Sequence, residues 1–284
     1  MSIAAAQISS NALSDMIQLF DAQPWTKQFH EELTELWNIC NSRDQQILLK
    51  DLIVNFYMLD SDKEATAQKD FNNKFQEWNL DPSNTWIVAV ANSDEIDGST
   101  AALQKLKNKI LPYEQWHARL ISNIPSAAKI INNGDNIVLF DDFIATGKKM
   151  VRKVKWITNI LNDRNIKEFT IFCSGICGME FGIQHIKDEL KLPVFTSISL
   201  KRGISDRYPP ESAAPALALM KEVEENLGAK YRNKKLTDYT LGFDQSESLY
   251  CAINDNCPNN VFPILWWAIK KDGTPFRTLL QRAG

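Results

Sequence analysis

The chain has 284 residues, with 32 Lys and Arg against 35 Asp and Glu, a formal net charge of −3, and 44% hydrophobic and 24% charged residues. That length fits one large domain, or a domain with a smaller accessory one, and a sizeable core. The charge balance gives no global drive toward nucleic acid and leaves only a local basic face open. No apolar run approaches the roughly 20 residues that cross a bilayer. The opening MSIAAAQISS lacks a basic stretch ahead of a long apolar one, so neither a membrane partner nor a signal peptide is expected. Cys40, Cys173, Cys177, Cys251 and Cys257 are odd in number, which reads as reduced thiols in a cytoplasmic protein rather than a disulfide framework. The histidines, His30, His117 and His185, give no paired ligand spacing for zinc.

The first eighty residues carry helical spacing: Phe29, Leu33, Leu36, Trp37 and Cys40 recur on one face. Ser42 with Gln45, and Ser61 with Glu64, have capping-box spacing ahead of two further helices, the second ending near Trp78. LDPSNT (80–85) breaks that pattern, and a boundary is expected there, between a helical subdomain at 1–80 and a second domain at 81–284. Beyond it the rhythm becomes strand, loop, helix. WIVAVA (86–91) reads as a strand, NSDEIDGS (92–99) as a loop and TAALQKLKNKI (100–110) as a helix. IVLFD (137–141), FTIFCSG (169–175) and VFTSISL (194–200) are further strands, with helices expected over 148–161 and 180–190 between them. Alternation of this kind, with near-continuous apolar strands, predicts an α/β fold whose mostly parallel sheet is flanked by helices. Ligands of such sheets bind beyond the carboxyl ends of strands, where loops 92–99 and 141–149 both fall.

In IVLFDDFIATGKKM (137–150), four apolar residues run into Asp141 and Asp142, and a short turn ends in Thr146 and Gly147 before two lysines. Adjacent like charges cost stability unless something outside the chain uses them. A helix beginning near Thr146 presents free backbone N–H groups and a positive dipole end, which suit a phosphate. Thr146 adds a hydroxyl, Gly147 permits close approach, and Lys148 or Lys149 adds charge. Charge-assisted hydrogen bonds of this kind contribute roughly 1.5–3 kcal/mol each. Ionised aspartates only accept hydrogen bonds, so their natural partners are sugar hydroxyls or a hydrated magnesium ion. Both can face one ligand only if the pleat has ended by Asp142. A vicinal diol beside a phosphate is ribose 5-phosphate. The competing reading is a strand ending in solvated aspartates ahead of an ordinary capped helix. A Walker loop is excluded because GxxxxGK[ST] does not occur, and no GxGxxG follows a strand to support dinucleotide binding.

VLFDDFIATGKK resembles the signature of type I phosphoribosyltransferases, in which an apolar strand runs into two acids, a few small or apolar residues, Thr-Gly and a polar pair. The resemblance implies that Asp141 and Asp142 are the catalytic pair, holding the ribose hydroxyls of phosphoribosyl pyrophosphate (PRPP) and a magnesium ion. It assigns Ala145, Thr146, Gly147, Lys148 and Lys149 to the 5-phosphate. The last motif position, usually Thr or Ser, is Lys149 here. By the same resemblance the loop after the first core strand holds pyrophosphate, through Ser93, Asp94, Gly98 and Ser99. Asp94, Glu95 and Asp97 instead favour magnesium, or a solvated acidic loop with Asp97 or Ser99 as a helix cap.

Further along, Asn259 and Asn260 offer the donors and acceptors that read a nucleobase edge, with Trp266 or Trp267 to stack on it; a turn plus two core tryptophans is the simpler explanation. Lys201 and Arg202 follow the last strand and suit a leaving pyrophosphate or a polyanion, or form a solvated basic loop. The stretches GFDQSESL, NDNCPNNVFPILW and FRTLLQR are similar to the phosphoribosyltransferase-like conflict-effector family, PRTase-CE, over about residues 86–284. That likeness implies a role in bacterial antiphage defence, including retron cassettes, with a reverse transcriptase and its msDNA or other cassette proteins as partners, and an oligomer is expected. Three functions stand: an enzyme acting at the ribose anomeric carbon, a non-catalytic sensor of PRPP or a nucleotide, and a nucleic-acid-associated assembly subunit.

Overall fold

The computed structural model describes residues 9–93 and 97–283. In chain order the elements are α1 (Ser10–Ala22), α2 (His30–Asn38), α3 (Arg43–Val54), β1 (Tyr57–Leu59), α4 (Ser61–Glu77), β2 (Thr85–Ala89) and α5 (Gly98–Leu106). Then come α6 (Tyr113–Trp116), β3 (Leu120–Ile121), α7 (Ile124–Ile130), β4 (Asp135–Ile144), α8 (Lys148–Asp163), β5 (Phe169–Met179), α9 (Glu180–Leu190) and β6 (Val194–Leu200). The last third carries α10 (Pro210–Glu224) and the short strands β7 (Lys230–Tyr231), β8 (Lys234–Lys235) and β9 (Tyr250–Ala252). No helix of the described residues is long and apolar enough to cross a membrane.

The chain divides into two compact units, Asp60–Lys201 and Met1–Leu59 with Arg202–Gly284. The division thus falls elsewhere than the boundary expected at 80, and side chains explain why. Helix α4, on the far side of that boundary, buries Phe71 against Phe140 of β4 and Phe195 of β6. Trp78, expected to end a separate subdomain, packs on Phe172 and Phe195. In the other unit, β1 pairs in parallel with β9, matching Tyr57 to Tyr250 and Leu59 to Ala252. Its core joins Leu33, Leu36, Leu49 and Ile53 of the first helices to Val261, Phe262, Trp266 and Trp267.

The unit Asp60–Lys201 is built on five strands, all parallel, in the order β3-β2-β4-β5-β6. Alternation sends Val88, Val90, Ile137, Leu139, Ile171 and Cys173 to one face, where they meet Ile124 of α7, Val154 and Ile157 of α8 and Ile186 of α9. Phe140 and Phe172 point to the opposite face, toward Phe71 and Trp78. The fold is the expected α/β layering. Element ends differ in places. Ser42 does accept from the Gln45 amide at 3.3 Å, but α4 is capped by Asp60, which accepts from Lys63 N at 3.0 Å, and not by Ser61. Strand β4 extends to Ile144, through both aspartates, and α8 begins at Lys148 rather than near Thr146. All five thiols are free, and burial pushes Cys40 and Cys173 up to about 12, so they stay protonated at neutral pH.

Candidate active site at the strand switch point

The order of the parallel sheet locates its ligand crevice before any side chain is considered. From β2 the chain crosses to β3 at one edge and then returns to β4 on the opposite side of β2. Connections therefore diverge between β2 and β4, and the crevice opens beyond their carboxyl ends. The segment after β2 and the end of β4 carry the two loops singled out by sequence.

Asp97, Asp141 and Asp142 converge there, each offering a carboxylate oxygen within 4.8 Å of the others. Asp97 caps α5, its Oδ1 accepting from Ser99 N at 2.8 Å. This makes Asp97 the cap, one of the two residues the sequence offered for that role. Asp141 is only 2% exposed, and its Oδ1 accepts from Asp142 N at 3.1 Å. Asp142 is half-buried and lies against Gly98, where an added side-chain carbon would collide with its carboxylate. Lys149 closes the group: its Nζ lies 3.1 and 2.9 Å from the two oxygens of Asp97 and 3.1 Å from Asp141 Oδ1.

The electrostatics follow from that packing. Burial pushes the Asp141 carboxyl well above the ordinary carboxylate range, and the negative charge of Asp142 adds to the rise against the opposing pull of Lys149. Burial also acts to raise Asp97, but the Lys149 charge and the hydrogen bonds from Ser99 and Lys149 outweigh it, leaving Asp97 below its ordinary value. Burial opposes the charge of Lys149, yet Asp141 and Asp97 together lift its pKa above the ordinary lysine value. Lys149 is an ammonium held by two acids.

The phosphate turn has the geometry its residues allow. Gly147 caps α8 at φ 75°, a left-handed conformation that favours glycine. It also sits so close to the Gly182 carbonyl that a side chain would collide, and a side chain at Gly182 would strike the Ala145 carbonyl. The turn 145–147 is thereby pressed onto the first turn of α9. Sequence reading missed Gly182. Lys148 N donates to Thr146 Oγ1 at 3.4 Å, a long contact that leaves the α8 terminus able to receive an anion.

The remaining expected residues scatter. Ser93 is exposed in the turn after β2, Gly98 opens α5, and Ser99 is fully buried with an Oγ that meets no partner among the described residues. Asp94, with Glu95, lies outside the described residues. Lys201 is exposed at the end of its unit. Arg202 belongs to the other unit, where its amide donates to Asp206 Oδ2 at 3.0 Å. Asn259 is half-buried. Asn260 is 8% exposed and spends its amide on Phe243 O at 3.2 Å and Ser246 Oγ at 2.9 Å. Trp266 and Trp267 are core side chains donating to Val261 O and Gly228 O, both at 2.9 Å.

The PRTase-CE family model matches residues 22–282. The chain belongs to the PRTase-CE family. No curated protein matches it. Among solved structures, the orotate phosphoribosyltransferase from Aeropyrum pernix is 11% identical, with a TM-score of 0.33 over 54% of this chain and 75% of that one. The AQ2163 protein from Aquifex aeolicus, also 11% identical, gives a TM-score of 0.29 over 43% of this chain and 58% of its own.

Magnesium can be tested against the site of this PRTase-CE chain by donor chemistry. Three convergent carboxylates are the hard oxygen ligands that a magnesium ion takes. Lys149 already engages two of the three, so the set as built does not fit a divalent ion.

Proposed function

We propose that this PRTase-CE protein binds PRPP or a related ribose 5-phosphate nucleotide at the β2/β4 switch point and acts at the anomeric carbon, transferring the ribosyl group or hydrolysing its bond. The observation that carries the reading is the convergence of Asp97, Asp141 and Asp142 at the strand ends beside a left-handed Gly147 turn. In this reading Asp142, the more open of the pair, accepts hydrogen bonds from the ribose hydroxyls. Asp141 holds the Asp142 amide and the Lys149 ammonium, and so positions both. Ala145, Thr146 and Gly147, with the amides that open α8, receive the 5-phosphate. As the bond at the anomeric carbon lengthens, positive charge grows on the sugar and is stabilised by the fixed carboxylates. Because Lys149 holds Asp97 and Asp141, its ammonium rather than a magnesium ion is proposed to offset the charge of the departing pyrophosphate. Ser93 and Ser99 are proposed to line the pyrophosphate side, and Lys201 to contact the leaving group. The biological role proposed is that of an antiphage effector, including in retrons, acting with a reverse transcriptase and its msDNA in the cytoplasm.

A second reading is a sensor that binds PRPP or a nucleotide without turnover. The ion pairs of Lys149 favour it, because they occupy acids that a catalytic cycle would use. Incubation with PRPP, NAD and nucleoside triphosphates, followed by mass spectrometry, separates the two. The enzyme reading expects a new ribose-phosphate product that disappears in Asp142→Asn. Tight calorimetric binding of PRPP without any product supports the sensor, and the lack of both product and binding overturns the proposal.

A further inference from the structure

Three carboxylates with oxygens within 4.8 Å of one another repel strongly unless a cation or a proton neutralises them. The chain supplies that cation itself. Lys149 Nζ bonds both oxygens of Asp97 and one of Asp141, and these acids are only 11% and 2% exposed in their side chains. A divalent ion held by Asp97 and Asp141 needs the oxygens that Nζ now engages, so metal and ammonium exclude one another.

We propose that Lys149 is the resident cation of the Asp97–Asp141–Asp142 cluster and keeps divalent metal out of it, so that removing the charge of Lys149 turns the cluster into a divalent-cation site. The inference deepens the phosphoribosyl reading of this site and rests on it for the site's purpose. Lys149 is here a specificity-determining residue, setting which cation the carboxylates accept.

The test uses Mn²⁺ alone, followed by water-proton relaxation, with the full chain as wild type, Lys149→Met and Lys149→Arg. Lys149→Met is expected to bind Mn²⁺ at least about tenfold more tightly than wild type, whereas Lys149→Arg, which keeps the charge, stays weak. Adding Asp97→Asn to Lys149→Met should remove the gain, locating it in the cluster. Equal affinities for wild type and Lys149→Met overturn the inference, as does a Lys149→Met protein that gains nothing. Should Lys149→Met fail to fold, wild type alone still decides: a Tm unmoved by Mn²⁺ supports the inference, and a Tm that rises with submillimolar Mn²⁺ overturns it. Metal-free calorimetry with PRPP keeps the two ideas apart. PRPP binding that depends on Asp142, together with a failed Mn²⁺ result, rejects only the role of Lys149; the reverse pattern rejects only the phosphoribosyl reading.

Discussion

Glu247 and Asp141 are each 2% exposed, one in each unit of the chain, and they are neutralised in opposite ways. Glu247 accepts from Ile204 N at 2.9 Å, from Ser205 N at 2.7 Å and from the Ser205 hydroxyl. Those donors belong to one fixed loop, and the carboxylate is fully satisfied by structure. Asp141 receives one neighbouring amide and a lysine at the end of a flexible stem, with two other carboxylates beside it. A buried acid surrounded by fixed donors holds a fold together. A buried acid crowded by its own kind, and calmed by a side chain that can leave, is a binding site in waiting.

The comparison can be broken from either side. The largest effect is expected for Glu247→Ala, which strands three donors at Ile204 and Ser205 and frees a segment where Leu241, Asp244, Gln245 and Glu247 all hold positive φ. Urea unfolding should show a loss of about 3 kcal/mol or more, from buried donors left without a charged acceptor. The paired change Asp141→Asn with Asp142→Asn should do the reverse. Its urea midpoint should be unchanged or higher, because like charges are relieved, while PRPP binding weakens about a hundredfold, roughly 2.7 kcal/mol. A large loss of stability with binding retained would make the aspartates structural, like Glu247.

Glu224 sharpens the contrast within the unit that holds Glu247. It is 2% exposed and, among the described residues, accepts only from the Leu241 amide, at 3.2 and 3.1 Å, and burial pushes its carboxyl up to about 8 despite that bond and the charge of Lys221. A carboxyl raised on folding stabilises the protein below its unfolded value, and that stabilisation is lost as pH rises through the folded value. Stability should therefore fall between about pH 4.5 and pH 8, with a slope of at most about 1.4 kcal/mol per pH unit. In Glu224→Gln this contribution to the slope should vanish, read from urea midpoints across that window. The smallest stability effect is expected for Gly98→Ala, at the first position of α5, where alanine suits a helix to within about 1 kcal/mol. Its added carbon meets the Asp142 carboxylate, so PRPP affinity should drop about tenfold, a change of roughly 1.4 kcal/mol, with the Tm held.

What sequence revealed, and what it hid, divides by distance along the chain. Strand, acid pair, turn and helix over residues 137–150 are local, and residues 92–99 offered Asp97 as one of two caps. The alternating apolar strands gave the parallel sheet. The partnership of Lys149 with Asp97 spans 52 residues and exists only because β2 and β4 are neighbours, so motif position alone pointed Lys149 at a phosphate. Gly182 is glycine because the Ala145 carbonyl lies against it, a demand that nothing in EFGIQHIKDEL announces. The pairing of Tyr57 with Tyr250 likewise leaves no local trace, and β1 was absorbed into an apolar run that read as helix. Asn260 carries the right groups for a nucleobase edge, yet its amide donates to Phe243 and Ser246, which only the folded loop reveals.

The central claim is that one ribose 5-phosphate spans the aspartates and the turn after β4. The most direct test is a crystal structure of the protein soaked with PRPP. It should show the ribose hydroxyls on Asp142 and the 5-phosphate against the amides of Ala145, Thr146 and Gly147. A sugar phosphate lodged elsewhere, or bound there without touching Asp142, would contradict the account.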